Sequence, residues 1–462
     1  MMEYNFDNLD KNNQTYFDNI FKKKLTLFKH KLKEEGIELS SIEGMEELAN
    51  FYIEYNKFNE ALILLNKAST ISPFNSDVWI QMGIVLNSVQ KYNDAILCFE
   101  KAKNFDPANI FIYINKSISL DYLHKYDEAL ETIEYVLQIE NDNEDALLNK
   151  AIIYQHQNKI SEAKKILHQL IKNDTNNSDA LYELAFCYDL KEEYETAISF
   201  YDLYLDIVPN DEVAWHNRGL AFSKLGKFVL AIECFDIALS INDKSSSTFY
   251  NKGNIFVLLD RLIDARDCYI FSLSIDKNDF LSLYALANVF YELKSYDDAI
   301  KCYTEVIRIN SHFDDCFYER AICYEEIGEN PKAIKDYNKY LSMNSDDASI
   351  WKTKAKIEYK LKKFSDCIKS YKMSLKYDTH NNKTWFELSK ILFELGYFNA
   401  ALKSIERSLK ISKTADGFYL KSKILVSFNK LEDALQNIVK AIQLDKQKEI
   451  EWKNEFPNFN WF

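Results

Sequence analysis

SDVWIQMGIVLNSVQKYNDAILCFEKAKNFDPAN, residues Ser76 to Asn109, is the stretch on which the fold turns. Trp79, Met82, Gly83 and Leu86 mark a first helical run; Ala95, Phe99 and Ala102 mark a second, and Pro107 closes the unit. Ala95 belongs to a series. Ala61, Ala95, Ala129, Ala163, Ala197, Ala231, Ala265, Ala299 and Ala333 each lie 34 residues after the last. Cys367 takes the next place, Ala401 the one after, and Ala434 follows with a slip of one residue. A period of 34 residues is the signature of a helix–turn–helix solenoid, in which each unit buries its apolar face only by stacking on its neighbours. The chain therefore reads as one long all-α array rather than about three globular domains. Its function becomes a question of binding before one of catalysis.

Framed from Ile42, the chain divides into about twelve units, from 42–75 and 76–109 through 348–381 to 382–414 and 415–448. The eighth position is small throughout, as in Ala49, Gly83, Ser117, Gly219, Ser389 and Ser422, and is expected to let helix A approach the alanine at position 20 of helix B. Large residues at positions 4, 11 and 24, such as Trp215, Phe222 and Phe235, fill the wedges on either side. Gly226, Gly328 and Gly396 share position 15, where helix A ends and a left-handed C-cap is wanted. On these residues the chain resembles the tetratricopeptide repeat (TPR) family, whose pattern is W-x2-L-G-x2-Y, then A-x3-F, then P. The resemblance implies a right-handed α-α superhelix with the first helix of each unit lining the concave surface. The tenth unit departs from the pattern, with Cys367 in place of the alanine and Glu358 at the normally aromatic eleventh position. The stack is expected to be softest there.

The composition agrees with a folded, soluble protein: 47% hydrophobic and 28% charged, with nine Gly and five Pro in 462 residues. No window is apolar enough for a membrane span, and the first residues lack the apolar core of a secretory signal. A net charge of −14 argues against a general affinity for nucleic-acid backbones. Of the eight cysteines, Cys98, Cys234, Cys268 and Cys302 share one phase and Cys187 and Cys323 another. Cysteines one repeat apart do not converge as metal ligands would. They read as small buried hydrophobes in a reducing, cytoplasmic setting.

Residues 1–41 lie outside the array. Phe17, Ile20, Phe21, Leu25, Phe28 and Leu32 form an apolar stripe at helical spacing, with lysines largely off it. Such a helix can cap the open first repeat, lie on a membrane surface or meet an acidic partner. Residues 449–462 carry Trp452, Phe456, Phe459, Trp461 and Phe462, suited to a cap over the last helix or to a peptide that docks in a groove.

The family resemblance implies that positions 2, 5, 6, 9, 12 and 13 of each unit face the groove. Position 6 reads Gln81, Asn115, Asn149, Glu183, Asn217 and Asn251 across units two to seven. A carboxamide both donates and accepts, so a row of them can pair with a peptide backbone whatever its side chains. The row resembles the asparagine ladder in the repeat arm of O-linked N-acetylglucosamine transferases; Glu183 interrupts it and Ala285 ends it. An asparagine at this position is also simply common in the family. Position 5 carries Tyr182, Tyr250, Tyr284 and Tyr318, with His216 between the first two; tyrosine offers amphipathic contact area. In the tenth unit Lys352, Lys356 and Lys360 fall at groove positions within a lysine-rich stretch of net charge +6, 352–372, suited to an acidic peptide or simply solvated. The carboxylate clamp of the family's co-chaperones is not spelled out: Asn254 and Asn288 stand beside tyrosines rather than lysines.

No phosphate-binding loop, nucleophile elbow or zinc-helix motif occurs, and the seven histidines are scattered. The expected function is a non-catalytic scaffold or adaptor that takes an extended peptide or protein surface in its groove, with no cofactor and no metal. The alternative is a structural subunit that assembles through its termini, including by self-association. RNA binding would need basic and stacking residues along the whole groove, and only one unit is basic.

Overall fold

A computed structural model describes residues 7–457 of the chain, with side chains from Ile20 onward. Among the described residues there are 26 helices and no strand. The chain divides into two compact units, Met1–Ile255 and Phe256–Phe462.

In the first unit, α1 (Asp7–Glu34) precedes a stack of helical hairpins. These are α2 (Ile42–Glu54) with α3 (Phe58–Ile71), α4 (Ser76–Ser88) with α5 (Tyr92–Phe105), and α6 (Ile110–Tyr122) with α7 (Tyr126–Ile139). They continue with α8 (Glu144–His156) and α9 (Ile160–Asn173), α10 (Ser178–Asp189) and α11 (Tyr194–Ile207), then α12 (Glu212–Lys224) and α13 (Phe228–Ile241). The boundary between the units falls within α14 (Ser246–Leu258). The second unit runs through α15 (Leu262–Ile275), α16 (Phe280–Glu292), α17 (Tyr296–Ile309), α18 (Asp315–Glu326), α19 (Asn330–Met343) and α20 (Ala348–Lys360). It ends with α21 (Phe364–Tyr377), α22 (Asn382–Glu394), α23 (Phe398–Ile411), α24 (Ala415–Ser427), α25 (Leu431–Leu444) and α26 (Gln447–Glu455). Even-numbered helices from α2 to α24 are the A helices of the frame, and odd-numbered ones from α3 to α25 the B helices.

Local chemistry sets the hairpin boundaries. Most A helices open on Asn or Asp whose side chain accepts from the first-turn amides, as Asn75 does from Asp77 N at 2.9 Å and Asp211 from Val213 N at 2.8 Å. B helices open without a side-chain cap, most often on lysine (Lys57, Lys91, Lys125, Lys159, Lys227). Between A and B the residue at position 15 is left-handed. Gly226, Gly328 and Gly396 hold φ of 70°, 80° and 78° there. Gln90, His124 and Lys294 hold 60° at the same place without being glycine. The hairpin geometry, and not glycine alone, imposes this turn.

The small eighth position packs against the ring at position 24. A Cβ on Gly83 would stand 2.5 Å from Phe99 Cε1, and one on Gly219 2.8 Å from Phe235 Cε1. The expected approach to position 20 is also present: Ser389 Oγ donates to Ala401 O at 2.8 Å. Tryptophans at position 4 lock the turn behind them. The indoles of Trp79, Trp215, Trp351 and Trp385 donate to the carbonyls of Pro73, Pro209, Ser345 and Thr379 at 2.9–3.0 Å.

The ends are engaged within their own units. Phe28 stacks on Phe51 at 4.6 Å, Phe21 meets Tyr55 at 5.4 Å, and Leu32 is buried, so α1 lies against α2. Trp452 of α26 is fully buried beside Ile438 and Ala441, with Phe456 4.4 Å from its ring. The side chain of Phe17, and Phe459, Trp461 and Phe462, lie outside the described residues.

Candidate partner-binding groove

Within each unit the substantial contacts that skip a helix join A helices: α4 to α6, α6 to α8, α8 to α10, and α22 to α24. Hairpins whose first helices meet in this way place those helices on the inner side of the stack. On each A helix, positions 8 and 11 face the B helix, so the residues at 2, 6, 9 and 13 share the face turned away from it, with 5 and 12 at the border between the two.

Three of the five position-6 amides are engaged with the preceding A helix. Asn149 is buried and donates from Nδ2 to Ile114 O at 3.3 Å and to Ser117 Oγ. Asn217 donates to Tyr182 Oη at 3.0 Å, and Asn251 lies 3.4 Å from His216 Nε2. Each contact joins one A helix to the next, across 32 residues for Ser117 and 35 for the others. Lys352 and Glu387 repeat it as an ion pair at 3.8 Å in the second unit. Asn115 donates only to Phe111 O of its own helix, at 2.8 Å. Gln81 Oε1 is out of solvent and without a hydrogen-bond partner. The row thus ties successive A helices together, spending Nδ2 donors and leaving amide oxygens less used.

The position-5 tyrosines are half-buried rather than fully presented. Burial, reinforced by Glu183, pushes the Tyr182 hydroxyl up to about 12. Tyr182 packs 5.3 Å from the Tyr204 ring, Tyr284 5.0 Å from Phe313, and Tyr318 5.6 Å from Tyr340. Tyr250 is half-buried at the same phase. In the tenth hairpin much of the lysine charge is met locally. Lys352 and Lys356 both reach Glu387, at 3.8 and 3.7 Å. Lys369 reaches Asp366 at 3.4 Å, and buried Lys354 lies 3.6 Å from buried Glu358, which also accepts from Ser370 Oγ at 2.7 Å. Lys360 is exposed. The departure at position 11 is therefore a buried polar cluster, not an unfilled aromatic place.

Three features escape a reading of motifs alone. The first is a column of apolar side chains at position 9: Ile84, Ile118, Ile152, Phe186 and Leu220, running beside the amides of the first unit. Ile84 is 39% exposed, and Phe111, Tyr122 and Leu190 at positions 2 and 13 are more so. Aligning the units by column reveals it. The second is a set of buried tyrosines at position 24 whose hydroxyls reach the A helices: Tyr303 donates to Asn288 Oδ1 at 2.6 Å, Tyr337 to Glu325 Oε2 at 2.9 Å and Tyr371 to Glu387 Oε2 at 3.2 Å. The third is an ion pair from position 7 back to position 25 of the preceding hairpin. It recurs as Lys116–Glu100, Lys150–Glu134, Arg218–Asp202 and Lys252–Asp236.

His156 Nδ1 lies 2.7 Å from Asp121 Oδ2, and that hydrogen bond raises the imidazole above its ordinary value against the opposing effect of burial. Burial likewise raises the cysteine thiols, Cys98 to about 11 and Cys367 to about 12. All eight cysteines are free, and among the described residues no group of three or more His, Cys, Asp or Glu side chains is placed to hold a metal ion. No described helix is long and apolar enough to cross a membrane.

Comparison with known proteins fits this geometry. Family models described as tetratricopeptide repeat match residues 123–178, 179–211, 213–245, 280–313 and 383–414. No curated protein sequence matches. Among solved structures, the MamA protein is 21% identical, covering 37% of this chain and 93% of its own at a TM-score of 0.35. YrrB, described as a TPR protein with an unusual peptide-binding site, is 19% identical, covering 39% of this chain and 93% of its own at a TM-score of 0.36. The matched repeats and the all-α hairpin stack lead to one assignment: the chain belongs to the tetratricopeptide repeat family.

Proposed function

We propose that the protein is a non-catalytic interaction scaffold that takes an extended peptide segment of a protein partner along its A helices. Membership of the repeat family supports a protein-interaction role in general. The observation that carries the finer reading is the apolar column of the first unit, exposed at Ile84 and half-buried at Ile118, Ile152 and Phe186, bordered by Gln81, Asn115, Asn149, Asn217 and Asn251. An apolar strip bordered by amide oxygens offers side-chain pockets and acceptors for a partner's backbone N–H groups. Tyr182 and Tyr250 extend that surface in the first unit; Tyr284, Tyr318, Lys352, Lys356 and Lys360 are candidate contacts in the second. The free cysteines, all but Cys302 buried, favour a reducing, cytoplasmic setting.

The described part of the C-terminal tail is spent on its own hairpin through Trp452, which favours the groove over the termini as the partner site. Capture from lysate by the intact chain, by Ile84→Glu/Ile152→Glu and by Asn115→Ala tests the reading. Loss of the same protein from the double variant, whose helicity is unchanged, is the expected result. Equal recovery by all three would move the binding surface elsewhere.

A further inference from the structure

The six groove positions on each of the five A helices α2, α4, α6, α8 and α10 make thirty places. Ten of these hold Asp or Glu, and none holds Lys or Arg. Glu46, Glu47, Asp77, Asp145, Asp179 and Glu183 are among them. On the outer surface some acids have local cations, as in the recurring pairs between hairpins. In this groove, among the described residues, only Asp121 has an ion-pair partner, His156 at 2.7 Å. Lys224 stands near enough to Asp189 to favour its charged form, without making a pair.

Burial raises Glu46 and Glu183 above the ordinary carboxylate range, and neighbouring Asp77 and Asp179 add to the effect. Carboxylates kept partly out of water without a cation are poised to gain from one. Glu46 Oε1 accepts from Asn75 Nδ2 at 3.3 Å, whereas two acceptors in the same groove lack a donor: Asp121 Oδ1, on a residue 4% exposed, and Gln81 Oε1. The unmet polar capacity is all of one kind. Beside it runs the apolar column Ile84, Ile118, Ile152 and Phe186.

We infer that the groove of the first unit receives a polypeptide segment in which lysine or arginine side chains alternate with apolar ones. The inference rests on the groove reading above and adds the partner's chemistry. The cationic heads meet Glu46, Asp179 and Glu183, and the apolar side chains cover Ile84, Ile152 and Phe186. Long basic side chains suit this arrangement because their stems are apolar and their heads donate.

The test uses the full chain and fluorescence anisotropy with three synthetic peptides: alternating leucine and lysine, alternating leucine and glutamate, and alternating serine and lysine. The leucine–lysine peptide is expected to bind most tightly and to lose affinity at about 1 M salt, where the screening length falls to about 3 Å. Asp179→Asn/Glu183→Gln should weaken it roughly tenfold or more. Removing two charges from a B helix, Glu128→Gln/Glu131→Gln, should leave it within about twofold if local charge and not net charge is the cause. Equal loss in both double variants, or equal binding of the leucine–glutamate peptide, would overturn the inference. If the leucine–glutamate peptide binds and Ile84→Glu/Ile152→Glu abolishes it, the groove stands and the charge class is wrong. If that double variant changes nothing, the groove reading itself fails. Concentration-dependent self-association lost in the same groove variants would assign the surface to a second copy of the chain and overturn the inference as well.

Discussion

Replacing Lys354 by methionine while keeping Glu358 leaves a carboxylate that is 3% exposed facing Ser370 Oγ with no cation. The ammonium lies 3.6 Å from Glu358 Oε1 and 4.7 Å from the Trp351 ring centroid, so its loss removes both a counter-charge and a packed stem. Breaking a buried pair from one side costs about 3–5 kcal/mol. The surviving serine bond and the 3.6 Å separation place this case near the lower end, at about 3 kcal/mol. Removing both charges, Lys354→Met/Glu358→Leu, restores the apolar eleventh position of the repeat and should return stability to within about 1 kcal/mol of the parent or above it. Urea denaturation followed by circular dichroism gives the global values. Hydrogen exchange of α20 and α21 localises the change, which matters because a repeat array need not unfold as one unit. A single variant costing under about 0.5 kcal/mol, or a double variant costing the sum of the singles, would refute the argument.

Other expectations follow from the same contacts. Gly83→Ala forces a methyl into the Phe99 ring, 2.5 Å from Cε1, and should cost about 1–3 kcal/mol by thermal or urea unfolding; a neutral result would show that the ring can move away. Gln90→Gly removes a side chain from a residue at φ 60° and should be neutral or stabilising by up to about 1 kcal/mol, whereas loss of stability would mean that the side chain itself holds the turn. Asn149→Ala should cost about 1 kcal/mol, because it removes the buried amide's hydrogen bonds to Ser117 Oγ and Ile114 O and leaves those two bonded only to each other, while Asn115→Ala costs about 0.5 kcal/mol or less; equal effects would contradict the structural role given to Asn149. His156 should titrate above its ordinary value by NMR, and Asp121→Asn should bring it down. Because the folded value is raised, the associated stability is present below the unfolded value and fades as pH rises through the folded one.

Much of the fold was legible because the repeat makes every position a column. Alanine at position 20, small residues at position 8 and the three glycines at position 15 each follow from close packing or backbone handedness. The non-glycine residues that share the left-handed turn were not legible, since Gln90 and Lys294 carry no such preference of their own. The site was read less well. Reading position 6 as a free amide row missed that Asn149, Asn217 and Asn251 spend donors on the preceding A helix. Those partners lie 35 residues away, beyond any local motif. The charge sum of the tenth unit likewise counted lysines without their partners: Glu387 lies in the next hairpin, and Lys354 turns inward to Glu358. The position-9 column and the want of cations beside it emerge only when a face is read across several hairpins.

The most direct measurement is hydrogen exchange of the full chain, free and with the leucine–lysine peptide bound. The groove account predicts slowed exchange along the A helices α4, α6, α8 and α10, with the B helices α5, α7, α9 and α11 unchanged. Protection confined to the B helices, or to α1 and α26 at the ends, would contradict it.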